Sequence, residues 1–435
     1  MSVLPLKPLV ADGPCAGKAA GSNLLNRKAG VLVFAAFAAA YFCSALVRAI
    51  TATLAPALSQ EFSLQARDLG LLAGGYFLGF AVTQLPLGNW LDRYGPKQVI
   101  LCFLSVAVLG CLAFSMATSF TWLLAARVMV GMGVSACLMA PLTGYRRWFD
   151  VQTLLRANSW MLMTASLGML TSTLPVQWLM PLIGWRPLFW ILAAMIVLAM
   201  TAIVWLVPRW QDATLPVGSQ PEAGSGSAGY VEVAKNPYFR SMAPLAFFNY
   251  GGLVAIQTLW AGPWMVNVAG YTPLEAATGL FYINAAMLVT YWTWGMVNPW
   301  LARNSWSASR LLAWGMPLSL LSLAANVWLG ADCGWLGWAI FCMTGSVMGL
   351  AQPAVSMAFR PALAGRALSA YNLVIFSGVF VLQWGIGLLI DVFGAAGLAQ
   401  AASFQAAMAV FLGCSVAAYG WMMFPVPAKV DNHHK

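Results

Sequence analysis

The sequence predicts an all-α membrane protein with twelve transmembrane helices in two pseudo-symmetric six-helix bundles. Of its 435 residues, 61% are apolar and only 8% are charged, too few to give a soluble core a wettable surface. Its apolar runs reach about 20 residues, the length with which a helix crosses roughly 30 Å of hydrocarbon. Because lipid offers no hydrogen-bond partner to a bare peptide group, such runs must be helices. Barrel strands would alternate apolar and polar side chains, which the nearly unbroken segment 99–117 does not do.

Apolar windows between turn signals place the twelve spans near 30–57, 67–90, 97–118, 120–144, 156–181, 184–207, 240–268, 273–301, 309–330, 334–359, 363–391 and 398–424. The segment 208–238 breaks this pattern with three prolines and a Gly/Ser run, and predicts a flexible cytoplasmic linker. We therefore expect five regions: a disordered N-terminal tail 1–29, a first bundle 30–207, the linker 208–238, a second bundle 239–424 and a C-terminal tail 425–435.

The positive charges predict the orientation of the spans. Most of the 22 Lys and Arg residues fall in the tails and in the loops on the side of both termini. Short cytoplasmic loops retain such residues, so we expect both termini in the cytoplasm and the chain in a bacterial inner membrane. Because the cations are dispersed among loops instead of forming one stripe, we expect no nucleic acid as a partner.

Residues that carry enzymatic or metal chemistry are scarce within the spans. The eight cysteines show no spacing typical of a metal site or a redox pair. Both histidines, His433 and His434, lie in the polar C-terminal tail. The spans contain no paired carboxylates. We therefore expect no enzyme, no metal site and no cofactor.

A loop motif follows the second span. The segment Gly88-Asn89-Trp90-Leu91-Asp92-Arg93-Tyr94-Gly95-Pro96-Lys97 resembles the loop signature of the major facilitator superfamily, with its Gly, Asp-Arg, Gly and basic residue. Gly88 would permit close helix contact and Gly95 a chain reversal. The resemblance implies that Asp92 and Arg93 act in gating, with Lys97 as the basic end of the motif. Anchoring of the loop at the lipid headgroups is the alternative.

Two further patterns support this resemblance, which covers residues 30–424. Arg127 followed by Gly131 and Gly133 is similar to the fourth-span pattern of the superfamily. The first span, with Tyr41 and Arg48, resembles that of its anion:cation symporter branch. That branch has acidic residues where this chain has Val47 and, in the fourth span, Val134. Those acids are its usual proton carriers, so their absence argues against proton symport and leaves sodium coupling, exchange or facilitated uptake open. The coupling ion, H⁺ or Na⁺, is therefore not fixed by the sequence.

Two arginines within the spans suggest the substrate. A charge deep in a bilayer costs about 2.5 to 3.5 kcal/mol and tends to face a water-filled cavity. Arg48 and Arg127 each lie about 6 to 8 Å from the midplane on the same side, at about 1.5 Å per residue. No acidic residue is expected beside them, so a substrate carboxylate is a fitting partner for their planar guanidinium groups. The alternative is an arginine that caps the carbonyls of a neighbouring helix or snorkels outward to the membrane surface.

Polar side chains at helical spacing complete the candidate substrate-binding set. Tyr41, Ser44, Arg48 and Thr51 share one face of the first span. The other candidates occur in the second, seventh, eighth, tenth and eleventh spans, and they are Tyr76, Thr83, Asn249, Gln257, Asn284, Tyr291, Gln352, Asn372 and Gln383. For each of these, hydrogen bonding between helices is the alternative.

The resemblance and the two arginines together predict a secondary transporter that moves a small organic anion by alternating access. Two alternatives stay open, namely an efflux pump for amphipathic drugs or metabolites and a non-transporting nutrient sensor. The expected partners are a small-molecule substrate, a coupling ion and membrane lipid, and the expected state is a monomer.

Overall fold

The computed structural model describes residues 24–208, 226–304 and 306–424. Within these ranges the chain is helical and contains no strand. Nine helical segments of the described chain are long and apolar enough to cross a membrane. One of them contains two spans, and two further helical stretches, 151–183 and 273–303, complete twelve crossings. The prediction of an all-α membrane protein is confirmed.

The first six spans occupy five helical stretches. Their bounds are Arg27–Phe62, Ala66–Ser115, which holds the second and third spans, Phe120–Trp148, Val151–Thr171 continued by Leu174–Ile183, and Trp185–Leu206. The other six spans are Pro237–Asn267, Pro273–Arg303, Ala308–Leu329, Trp335–Met357, Pro361–Ala395 and Gln400–Met423.

The chain reverses at Gly95 between the second and third spans, as the loop motif predicts. Its φ of 76° and ψ of 163° interrupt an otherwise continuous helical stretch. A side chain would be strained at this positive φ, which explains the glycine. We call this end of the molecule the motif end, and the end that holds Asp391 the far end.

The seventh span contains two π-helical segments, 246–250 and 256–260. Each lies next to a proline, since Pro244 precedes the first and Pro263 follows the second. Proline has no N–H to donate to the carbonyl four residues earlier, so the regular helical ladder is broken at both places. The Arg240 carbonyl, which Pro244 leaves without its helical donor, accepts a hydrogen bond from the Trp421 indole at 3.3 Å. Such π-turns often occur at functional sites.

Part of the predicted linker is helical. Residues 209–225 lie outside the described ranges, as do 1–23 of the N-terminal tail and the whole segment 425–435. The described remainder forms a helix, Gly226–Lys235, so the prediction of a flexible segment is wrong there. Its Val233 is fully buried, and its Glu232 accepts a hydrogen bond from Arg360 at 2.9 Å. These contacts offset the conformational entropy that the segment loses when it becomes helical. Composition alone does not reveal such contacts.

Candidate functional site

Arg48 lies among tyrosines contributed by both bundles. Its side chain is half-buried, and the hydroxyls of Tyr41 and Tyr76 interact directly with its guanidinium group. From the second bundle, Tyr250 and Tyr291 lie close enough for the Arg48 charge to act on their hydroxyls. We call these five residues the Arg48 cluster. Its position between the bundles is where a transporter that rocks about a central site would hold a solute.

The Arg48 charge has no anionic partner in the described part of the chain. The ion pairs found there join Arg67, Arg186 and Arg360 to carboxylates, and none of them includes Arg48. Its Nε is buried and has no hydrogen-bond partner there. Tyrosine hydroxyls are weak compensation for a buried cation. The cluster is therefore chemically suited to a carboxylate or another oxyanion.

Arg127 is directed at the backbone of the first span. It is 1% exposed, and its two terminal nitrogens donate hydrogen bonds to the carbonyls of Val47 at 2.9 Å and Arg48 at 3.2 Å. The guanidinium group also lies over the Tyr76 ring, 5.1 Å from its centroid. Arg127 thus contacts the backbone of Arg48, but the environments of the two guanidinium groups differ. This geometry assigns Arg127 to the alternative stated above, an arginine that caps carbonyls of a neighbouring helix.

We expect Arg127→Met to act on stability more than on substrate affinity. The change removes two charge-assisted hydrogen bonds and one buried charge, with a net loss of about 2 kcal/mol in the free energy of unfolding. Thermal unfolding of the purified protein measures this loss, and substrate KM should stay near that of the wild type. An unchanged unfolding midpoint together with a raised KM would instead identify Arg127 as a substrate contact. Arg303→Met, at an exposed position, is the control.

The remaining polar residues of the first bundle are buried, but the Ser44 hydroxyl has no hydrogen-bond partner among the described residues. Ser44 and Thr51 are buried, and the Tyr76 hydroxyl lies 3.5 Å from the Ser44 carbonyl. The Thr83 hydroxyl donates to the Phe80 carbonyl of its own helix at 2.8 Å. Thr83 is thus satisfied locally and needs no solute.

The predicted amides of the second bundle bond to one another or to neighbouring helices. Gln257 donates to Asn284 at 3.0 Å, and Gln352 donates to Asn372 at 2.7 Å. The other two pairs are Gln383 with the Thr258 hydroxyl at 2.9 Å and Asn249 with the Ser415 carbonyl of the twelfth span at 3.2 Å. For these amides the structure favours the interhelical alternative over direct substrate contact. The buried Gln383 Oε1 keeps no partner within the described residues.

Sequence reasoning missed Tyr250. It lies at the end of the first π-helical segment, where the register of the helix shifts relative to an α-helix. An α-helical face drawn through Asn249 or Gln257 therefore does not predict its direction. The neighbouring Pro244 is the one sequence signal that could have indicated the shift.

The two bundles meet closely at the far end. The Asp391 carboxylate of the eleventh span accepts hydrogen bonds from the first backbone N–H groups of the second span, those of Ala66 at 3.2 Å and Arg67 at 3.0 Å. Gly387 packs against the Ala66 backbone, and Gly70 packs against the Gln383 carbonyl. A carboxylate at a helix N-terminus is stabilised by the helix dipole. These contacts hold the second and eleventh spans together at the far end, beside a cavity of about 950 Å³ that Arg67 and Asp391 also line, and Asp391 was missed as part of this junction.

Toward the motif end, the contacts of the second span change at Gly88. Its contacts with the eleventh span continue through Phe80 and Phe376, with ring centroids 4.4 Å apart. Beyond that point, no described atom lies within 4 Å of where a Cβ on Gly88 would be. The close helix contact predicted at Gly88 is absent from this conformation.

The other motif residues bind within the first bundle. Lys97 donates to the carbonyls of Val204 at 2.8 Å and Val207 at 2.7 Å, and so caps the C-terminal end of the sixth span. Arg93 lies over the Tyr94 ring, and the Arg146 charge acts on the Asp92 carboxylate. In this conformation the motif stabilises the end of its own bundle.

Comparison with known proteins identifies the family. The family model of the Major Facilitator Superfamily matches residues 37–383. The chain belongs to the major facilitator superfamily. It is accordingly a multi-pass transporter rather than an enzyme, and the predicted fold class is confirmed.

The most informative relatives differ in what their names say they carry. The chain is 23% identical to the probable L-galactonate transporter of Escherichia coli K12 over 57% of this chain and 56% of that protein. It is 32% identical to multidrug resistance protein D of the same organism over 35% of this chain and 39% of that protein. The chain thus aligns with little more than half the length of the first of these relatives, and with less of the second.

A solved structure supports the fold over nearly the whole chain. A bacterial homologue of the human lysosomal transporter Spinster, in an inward-facing and unoccupied conformation, superimposes with a TM-score of 0.72. The match covers 92% of this chain and 97% of that one at 18% identity. At this identity the likeness shows the fold alone.

Proposed function

We propose that this protein is a secondary transporter that moves a small organic anion, in particular a carboxylate, by alternating access. The observation that carries the proposal is the half-buried Arg48 guanidinium group, which has tyrosines of both bundles around it and no carboxylate partner in the described chain. A substrate carboxylate would supply the missing countercharge and accept hydrogen bonds from the tyrosine hydroxyls. The name of the galactonate-transporting relative, whose cargo is a carboxylate, supports this class.

The contacts between the second and eleventh spans at the far end support an inward-open assignment of the conformation. By the charge bias of the loops, the motif end is the cytoplasmic one, with both chain termini there and the protein in a bacterial inner membrane. Asp391 and the glycine contacts then join the second and eleventh spans on the outer side, and Gly88 on the inner side has no such contact. Alternating access requires the reverse arrangement as well, in which Gly88 and the loop motif would come into contact with the second bundle.

Uptake into proteoliposomes tests the substrate class. The purified protein is reconstituted and given radiolabelled sugar acids and aromatic acids, each beside its uncharged amide. We expect saturable uptake or counterflow for at least one acid and at least tenfold less for its amide, since the loss of a charged hydrogen bond costs about 1.5 kcal/mol or more. Equal transport of acid and amide would contradict the proposal.

The similarity to multidrug resistance protein D favours a second candidate, the export of amphipathic compounds. Inside-out vesicles loaded with fluorescent amphipathic cations separate the two functions. Export that persists in Arg48→Gln would favour the efflux reading, because a lipophilic cation gains nothing from a guanidinium group.

A further inference from the structure

An apolar groove opens at the motif end of the second bundle, away from the Arg48 cluster. Its volume is about 530 Å³. It is lined by the helix Gly226–Lys235, which we call the linker helix, and by the seventh, eleventh and twelfth spans. Phe247, Phe248 and Val374 line its apolar part, and Arg240 and Trp421 lie at its mouth. No member of the Arg48 cluster lines it, so its role is separate from that site.

The groove lies at the depth of the membrane surface. Arg240 follows the start of the seventh span at Pro237 by three residues, and Trp421 lies two residues before the end of the twelfth span at Met423. Tryptophan is enriched at this depth. Phe247 lies seven residues beyond Arg240, or about 10 Å deeper at about 1.5 Å per residue. The groove therefore runs from the headgroup region into the hydrocarbon.

The charge at the mouth is positive and available. Arg240 is exposed, and none of the ion pairs of the described residues includes it. The linker helix, whose Ala234 lines the groove, ends at the exposed Lys235. The Arg240 backbone is fixed by the Trp421 indole at 3.3 Å. An exposed cation above an apolar channel matches an anionic headgroup attached to an acyl chain.

We propose that this groove binds one anionic phospholipid, with its phosphate on Arg240 and an acyl chain against Phe247 and Val374. The bound lipid would join the linker helix to the seventh and twelfth spans. The lipid would thus stabilise the position of the helix Gly226–Lys235 against the second bundle.

Native mass spectrometry of the detergent-purified full chain tests the site. Wild type is titrated with phosphatidylglycerol and with phosphatidylcholine of the same acyl chains. We expect about fivefold tighter binding of phosphatidylglycerol, the ratio that one cation near the surface contributes. Arg240→Gln should abolish this preference, Arg240→Lys should keep most of it, and Arg303→Gln, an exposed cation at the same end outside the groove, should leave it unchanged.

Two further experiments test the contributions of the lipid headgroup and of the acyl chain separately. Ala243→Trp, which fills the groove, should weaken binding of both lipids, while soluble glycerophosphate should not displace phosphatidylglycerol from wild type. Equal binding of the two lipids by wild type, or the same loss in Arg303→Gln as in Arg240→Gln, would overturn the proposal. Each variant is compared only after it elutes as a monodisperse peak, and Arg240→Lys reports on the site if Arg240→Gln does not fold.

Discussion

Replacement of Arg48 by glutamine is expected to reduce carboxylate transport at least about 30-fold in kcat/KM. The change leaves a buried substrate charge without its partner, and truncation of one member of such a pair costs about 2 kcal/mol or more. The loss should appear mainly in KM, because the tyrosines that define the shape of the site remain. Initial rates of uptake into proteoliposomes at several substrate concentrations measure it.

Matched variants distinguish the loss of the positive charge from a general loss of folded structure at this position. Arg48→Lys keeps the charge but lacks the planar fork, so it should recover part of the affinity. Arg303→Gln removes an exposed cation at the motif end and should transport like wild type. Normal carboxylate uptake by a well-folded Arg48→Gln protein would exclude Arg48 from the site and remove the main support for an anionic substrate.

Replacement of Gly387 by leucine is expected to break the contact between the second and eleventh spans at the far end. A Cβ at this position would lie 2.8 Å from the carbonyl carbon of Ala66 and 2.9 Å from the Cα of Arg67, so the second and eleventh spans would have to move apart. Overpacking against backbone costs about 3 kcal/mol, which reduces the population that keeps this contact about 100-fold. Net transport should fall accordingly, because each cycle passes through this state.

The eleventh span offers a control for this change. Gly385 lies two residues away, and no described atom lies within 4 Å of its Cβ position. Both substitutions replace glycine by a good helix former, so only the contact with the second span differs. Spin labels at Thr118 and Ala396, exposed at the far end of either bundle, should report a longer distance in Gly387→Leu and a wild-type distance in Gly385→Leu. Equal distances in the two variants would contradict the assigned contact.

The architecture was readable from the sequence because its causes are local. Span length follows from bilayer thickness, and the reversal at Gly95 follows from a conformation that a side chain would strain. Both depend on short runs of residues, and both agree with the structure. The helix 226–235 could not be read in this way because its order depends on the burial of Val233 and the Arg360 contact.

The candidate site was predicted only in part. The sequence singled out Arg48, Tyr41 and Tyr76, which the structure brings together. It could not say how Arg127 differs from Arg48, because only the packing of the fourth span on the first directs one guanidinium group at backbone carbonyls.

The sequence by itself thus determined that this protein lies in a membrane, that its spans are helical and that two of them carry a cation, because these features follow from composition and local periodicity. The tertiary structure decided which polar groups are satisfied. Most of the buried amides bond across helices, whereas Arg48 keeps its charge uncompensated. Hydrogen-bond partners lie far apart in the chain, so only the packed bundles determine which groups remain for a solute.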